Sequence, residues 1–126
     1  MSSGGATGSV VLFGGGDYTQ NLGDTWVWNG SNWQQRSPST SPPARSGLSM
    51  VFDDSISKVV LFGGYQLDDT WTWDGNNWTQ LVPASTPPDR YSYGMDYDGA
   101  AHAVVLFGGF SSDPIRGDTW KLSVGP

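Results

Sequence analysis

The amino-acid sequence predicts an all-β protein built from repeated four-stranded antiparallel units, and three observations carry that expectation. Val-Val-Leu-Phe-Gly-Gly occurs three times, starting at Val10, Val59 and Val104. Asp-Thr-Trp also occurs three times, starting at Asp24, Asp69 and Asp118, always downstream of the double glycine. With 18 Gly and 8 Pro in 126 residues, no window keeps the 3.6-residue period of a helix. Repetition at this length is the mark of an architecture made by placing one supersecondary unit beside the next.

The spacings sharpen the pattern. The Val-Val-Leu-Phe-Gly-Gly copies lie 49 and then 45 residues apart, and Pro-Pro-x-Arg occurs twice, ending at Arg45 and Arg90. From the Asp of Asp-Thr-Trp to the next of these arginines is 21 residues both times, and from the arginine to the next Val-Val is 14. All length variation therefore falls in the loop after the double glycine, which has eight residues in the first and third copies and four in the second. Fixed strands with one variable loop suit a repeat scaffold that gathers its differences on one edge.

The complete middle unit gives four strands in order. Residues 45–53 open after a Pro-Pro turn and form the inner strand, followed by the turn-forming Asp54-Ser55-Ile56-Ser57. Residues 58–62 are a continuous apolar run too short for a helix, as expected of a strand covered on both faces. Gly63-Gly64 ends it where another backbone must approach closely. Residues 70–73 alternate, with Trp71 and Trp73 on one face and Thr70 and Thr72 on the other. Asp74-Gly75 supplies a tight hairpin turn, and residues 78–82 return as the outer strand; Asn29-Gly30 repeats that turn between Trp28 and Trp33. The first copy is expected to lack its inner strand, because residues 6–9 align with the connector 100–103. The third is expected to lack its outer strand, leaving ten strands as three, four and three.

Composition narrows the function. The chain is 37% apolar and 13% aromatic, with seven Trp, five Tyr and five Phe, which fits a sheet core of flat rings and β-branched residues. A net charge of −6 with only two Lys argues against nucleic acid and anionic membrane surfaces as partners. No Cys is present, so disulfides, thiol nucleophiles and thiolate metal sites are excluded. The first residues lack the basic and apolar stretches of a signal peptide, and no run approaches a membrane span, so the compartment is left open.

The double glycine after an apolar strand, followed by aromatic pairs flanking a turn (Trp28 with Trp33, Trp73 with Trp78), resembles the kelch repeat in a Trp-rich form over nearly the whole chain. The resemblance implies a β-propeller, with blades at residues 9–36, 45–82 and 90–122 of one partial domain spanning 1–126. About two and a half blades do not close a ring, so completion by homo-oligomerisation is expected, unless the chain is a fragment of a longer propeller. Two copies would make a six-blade ring.

Arg45 and Arg90 open the inner strands, where the family often holds acidic peptide segments; each can grip a ligand carboxylate or anchor a turn by pairing with a carboxylate such as Asp24 or Asp69. In the family's geometry the loops after the double glycine share a face with the Pro-Pro connectors. Tyr65, Gln66, Phe110 and Arg116 then join Arg45, Arg90 and Tyr91 as candidate ligand-binding residues. Tyr91 and Tyr93 can stack on a sugar or peptide or pack between blades. The Asp-Thr-Trp repeats read as structural, with Asp capping a turn and Trp packing between blades. Arg116-Gly117-Asp118 is therefore read as a coincidental integrin-type tripeptide, and Trp73 to Trp78 as a hairpin turn rather than a sialidase Asp-box.

No catalytic residue, metal ligand or cofactor is expected. Kelch-like copper radical oxidases need a tyrosine–cysteine pair and several ligands, whereas this chain has no Cys and a single His, His102, in a connector. Asp53-Asp54 and Asp68-Asp69 fall at strand ends, where Asp serves turns rather than Ca²⁺, and a glycosidase-like carboxylate pair in the channel, for example Asp96 with Asp98, is the least favoured reading. The Asn29 and Asn77 glycosylation patterns lie in hairpin turns that want Asn in any case. The function expected is a non-catalytic module for protein or carbohydrate binding or scaffolding. The alternative is an incomplete or engineered propeller whose main property is self-assembly into a ring, and a kelch-like epimerase or lyase stands third.

Overall fold

The hydrogen-bonding needs of these short apolar runs are met by pairing each with its chain neighbour. The computed structural model describes residues 1–3, 9–17, 19–111 and 115–124, among which there are eleven strands and no helix. Sheet one contains β1 (Ser2–Ser3), β2 (Val10–Phe13), β3 (Thr25–Trp28) and β4 (Trp33–Arg36). Sheet two contains β5 (Ser49–Asp53), β6 (Lys58–Gly64), β7 (Leu67–Trp73) and β8 (Trp78–Leu81). Sheet three contains β9 (Gly94–Asp98), β10 (Ala103–Phe107) and β11 (Thr119–Leu122). Every neighbouring pair is antiparallel and the strands follow chain order. The first strands of the sheets are neighbours too, since β5 lies against both β1 and β9.

The turns form for the reasons the sequence gives. Asp74 Oδ1 accepts the backbone N–H groups of Asn76 and Asn77 at 2.8 Å, and Gly75 takes φ 99°. Asn29 and Gly30 repeat this at the β3–β4 turn, with 2.9 Å bonds from Ser31 and Asn32 and φ 100°.

Three details differ from expectation. Sheet one has an inner strand after all: Ser2 and Ser3 pair with Val11 and Val10, so the sheets have four, four and three strands. Two residues suffice for that pairing, and so short a strand leaves no repeat signature in sequence; residues 6–8 of the aligned connector lie outside the described residues. The inner strand of sheet two begins at Ser49 rather than at residue 45, because the carbonyls of Arg45 and Ser46 accept from Gly15 (2.8 Å) and Tyr65 (2.9 Å) instead of joining the ladder. Strands β6 and β7 run longer than expected, since the four-residue loop between them closes as a tight turn pairing Gly64 with Leu67 across a bulge.

The core lies between sheets. Val11, Phe13 and Val27 of sheet one pack with Met50, Val59, Leu61, Trp71, Trp73 and Trp78 of sheet two. Trp78 sets its ring edge-on to Phe13 at 5.3 Å and donates its indole N–H to Thr25 Oγ1 at 3.0 Å. The alternate residues Val60, Phe62 and Thr70 turn toward Met95, Val104 and Leu106 of sheet three. Strand β6 is thus covered on both faces, with Val59 to Phe62 at most 4% exposed.

Equivalent residues at the two ends of the array tell a different story. Leu61 and Leu106 are buried against the preceding sheet, while Leu12, with no preceding sheet, is 36% exposed. Phe13 and Phe62 are buried against the following sheet, while Phe107 is 57% exposed. Trp33, which matches Trp78, is 41% exposed.

Candidate functional site

Each arginine of Pro-Pro-x-Arg is the bolt of its sheet. Arg45 Nε donates to the Pro43 carbonyl at 3.0 Å, Nη1 to the Gly63 carbonyl at 3.0 Å, and its fork holds Asp69 at 2.5 and 2.7 Å. Arg90 repeats every contact, with Pro88 at 3.2 Å, Gly108 at 3.1 Å and both Asp118 oxygens at 2.8 Å. Both arginine side chains are fully buried. The Asp-Thr-Trp aspartates also accept the indole N–H two residues on, at 2.6 to 2.7 Å in all three sheets. The side chains of Asp69 and Asp118 therefore join an arginine to a tryptophan, where a turn cap was expected.

The double glycines make this possible. Gly63 and Gly108 take φ 66° and 73°, which aims their carbonyls at the arginines. A Cβ on Gly64 would stand 2.8 Å from the Ser46 carbonyl oxygen, and one on Gly109 would stand 2.8 Å from that of Tyr91. The backbone leading into the same sheet's inner strand can come this close only to glycine.

The electrostatics follow. Burial opposes ionisation of Asp69, but the hydrogen bonds and charge of Arg45, with the Trp71 bond, hold its carboxyl below the usual range. Asp118 is held far below that range by the Arg90 hydrogen bonds first and by Trp120 second. With both Asp118 oxygens engaged, Arg116-Gly117-Asp118 is not presented as a free recognition tripeptide.

The structure divides the candidate ligand-binding residues. Arg45 and Arg90 lie beneath the surface, committed to carboxylates of their own sheets, so their alternative role as turn anchors is the one the geometry realises. Tyr65, Tyr91 and Phe110 come together above them: ring centroids are 5.4 Å apart for Tyr65 and Tyr91, and 5.9 Å for Tyr91 and Phe110. Tyr91 and Phe110 exchange backbone hydrogen bonds of 2.9 Å, which ties the third sheet's loop to its inner-strand approach. Tyr65 is 54% and Phe110 44% exposed. Gln66 is exposed beside Tyr65 at φ 62°. Arg116 donates its backbone N–H to Gly109 at 2.8 Å, and its buried Nε has no hydrogen-bond partner among the described residues.

Tyr93 does not join the cluster. Its ring lies edge-on to Phe62 at 5.9 Å, and its hydroxyl accepts from Ser49 N–H at 3.0 Å while donating to the Phe62 carbonyl. Burial pushes that hydroxyl's pKa far up, so it stays protonated. Elsewhere, Asp53 and Asp98 accept turn amides through Oδ1. Among the described residues no three His, Cys, Asp or Glu converge as a metal site. A cleft of about 590 Å³ between sheets one and two, lined by Arg36, Asp54, Asp74, Ser9 and Asn29, has no counterpart in the sequence reading. Its polar residues come from connectors and turns whose mutual approach only the packing of the sheets decides.

No helix among the described residues is long and apolar enough to cross a membrane. No protein-family model matches the chain, and no curated protein matches its sequence.

Proposed function

We propose that the chain is a non-catalytic module of kelch-type propeller blades that binds or scaffolds a protein or carbohydrate through the face carrying its double-glycine loops. The observation supporting this most directly is the cluster of Tyr65, Tyr91 and Phe110. Three neighbouring rings, Tyr65 and Phe110 exposed and Tyr91 half-buried between them, on loops bolted to a rigid scaffold offer flat apolar area at small entropic loss, the usual basis of sugar stacking and peptide anchoring. The net charge of −6 argues against a strongly anionic ligand. Titration of the ¹⁵N-labelled chain with neutral oligosaccharides and with an aromatic-rich neutral peptide tests it. Shifts centred on Tyr65, Tyr91 and Phe110, abolished by Tyr91→Ala, support the reading; shifts elsewhere, or none at millimolar ligand, count against it.

A second reading, self-assembly of an incomplete propeller, is favoured by the two open ends. Both internal interfaces pair the Phe13-type face of one sheet with the Leu61-type face of the next. The faces left open are one of each kind, Phe107 at sheet three and Leu12 with Trp33 at sheet one. A second copy seated head to tail puts Trp33 on Phe107 and its indole N–H on Thr119, as Trp78 meets Phe13 and Thr25.

A further inference from the structure

Sheet three has three strands among the described residues, so β11 is its edge and one side of that backbone has no ladder partner there. Behind β11 lies a small open pocket of about 60 Å³, lined by Phe62, Thr70, Trp120, Leu122, Ser85 and Thr86 among others. The same place between sheets one and two is filled: Trp78 leads β8, packs on Phe13 and donates to Thr25. Phe62 and Thr70 are the repeat equivalents of Phe13 and Thr25, and Thr70 is only 4% exposed, with no hydrogen bond to its side chain from any described residue.

The template extends further. Thr40 N–H donates to Asn77 Oδ1, and Asn77 Nδ2 to Ser39 Oγ, both at 3.0 Å, so the Pro-Pro connector straps down the residue before Trp78. Counting from Pro-Pro-x-Arg, Ser85 takes the place of Thr40 and lines the pocket. Both outer strands of this chain begin Asn-Trp-x-Gln, at Asn32 and at Asn77. In both, the Gln faces the Asp-Thr-Trp tryptophan: Gln35 is opposite Trp26 and Gln80 opposite Trp71.

We propose that the β11 edge and the pocket behind it accept an extended Asn-Trp-x-Gln segment of a separate polypeptide as a fourth strand. In the bound register the Trp stands opposite Leu122 and enters the pocket, with its ring on Phe62 and its N–H on Thr70 Oγ1. The Gln stands opposite Trp120, and the Asn side chain accepts from Ser85 N–H. Main-chain pairing provides the affinity and the Trp pocket the specificity. This docking is independent of the aromatic cluster, which lies on the loop face.

The test uses the full chain and a synthetic peptide with the sequence of residues 74–82. Expected are amide shifts and slowed exchange confined to residues 119–122 and Ser85, with binding at least about tenfold weaker when the peptide Trp is replaced by Ala. Thr70→Val should weaken binding roughly 2- to 10-fold. Should that variant fold poorly, Ser85→Pro removes the strap N–H on an exposed connector and should also weaken binding. Absence of binding at about 1 mM peptide, equal affinity for the Trp→Ala peptide, or shifts centred on β4 or Phe107 would each overturn the proposal.

Discussion

Replacing Trp78 and Trp33 in turn by Ala separates two residues that the repeat makes equivalent. Trp78 is 1% exposed, with Phe13 and Trp73 each 5.3 Å away and its N–H on Thr25; Trp33 is 41% exposed and stacks only on Trp28, at 5.6 Å. Truncating a buried Trp costs about 3–5 kcal/mol in lost transfer energy and cavity formation, and the abandoned Thr25 hydroxyl adds about 1 kcal/mol. That total approaches the whole stability of a small domain, about 5–15 kcal/mol. Trp33→Ala in the monomer should cost about 1 kcal/mol or less, because much of its ring is already in water and its truncation leaves no enclosed cavity. Urea unfolding followed by circular dichroism at low micromolar protein reads the contrast. With a slope of about 2 kcal/mol/M, the two midpoints should differ by roughly 2 M. Equal shifts for the two variants would refute the reasoning, as would a Trp78→Ala shift under about 0.5 M.

Other outcomes follow from the bolts and the close approaches. Arg45→Met leaves Asp69 half-buried without its partner and should destabilise by about 3 kcal/mol in urea unfolding. Because the folded pKa of Asp69 lies below its unfolded value, the pair's contribution is present above about pH 4 and fades as pH falls through the folded pKa. Arg45→Met should therefore flatten the acid limb of the stability–pH curve. Tyr93 has the opposite sign: its raised folded pKa contributes stability below about pH 10 that is lost as pH rises. Tyr93→Phe should cost about 1–2 kcal/mol at neutral pH, by leaving Ser49 N–H and the Phe62 carbonyl unpaired, and should soften alkaline unfolding. Gly64→Ala, at φ 121° with a backbone oxygen 2.8 Å from the new Cβ, should cost at least about 2 kcal/mol; Gly30→Ala, at φ 100° in open space, should cost about 1 kcal/mol.

Residues that repeat could be read from sequence. The apolar run at 58–62, the alternating tryptophans and the Asp-Gly hairpin define their strands by local pattern, and all appear as strands of the middle sheet. The pairing of Arg45 with Asp69 was visible only as one of two uses for an arginine. Spacing shows that the two recur together, but burial decides between a ligand and an internal carboxylate. The two-residue strand at Ser2 carries no periodicity, so it emerges only when Val10 and Val11 need ladder partners. Tyr65, Tyr91 and Phe110 are expected on one face only from what the kelch resemblance implies, whereas their ring contacts depend on the Tyr91–Phe110 bridge. The polar cleft at Arg36, Asp54 and Asp74 depends on how two sheets lean together, which no local pattern encodes.

The claim at the centre of this account is that one pairing of sheet faces recurs and leaves two complementary faces open. Trp33→Asp blocks one end and Phe107→Asp the other, and sedimentation velocity on each variant alone and on their equimolar mixture tests the claim most directly. The account predicts that wild type associates, that each variant alone sediments as a monomer, and that the mixture forms a one-to-one dimer through its two intact faces. A wild type that stays a folded monomer at tens of micromolar, or a mixture that sediments as the separate variants do, would contradict it.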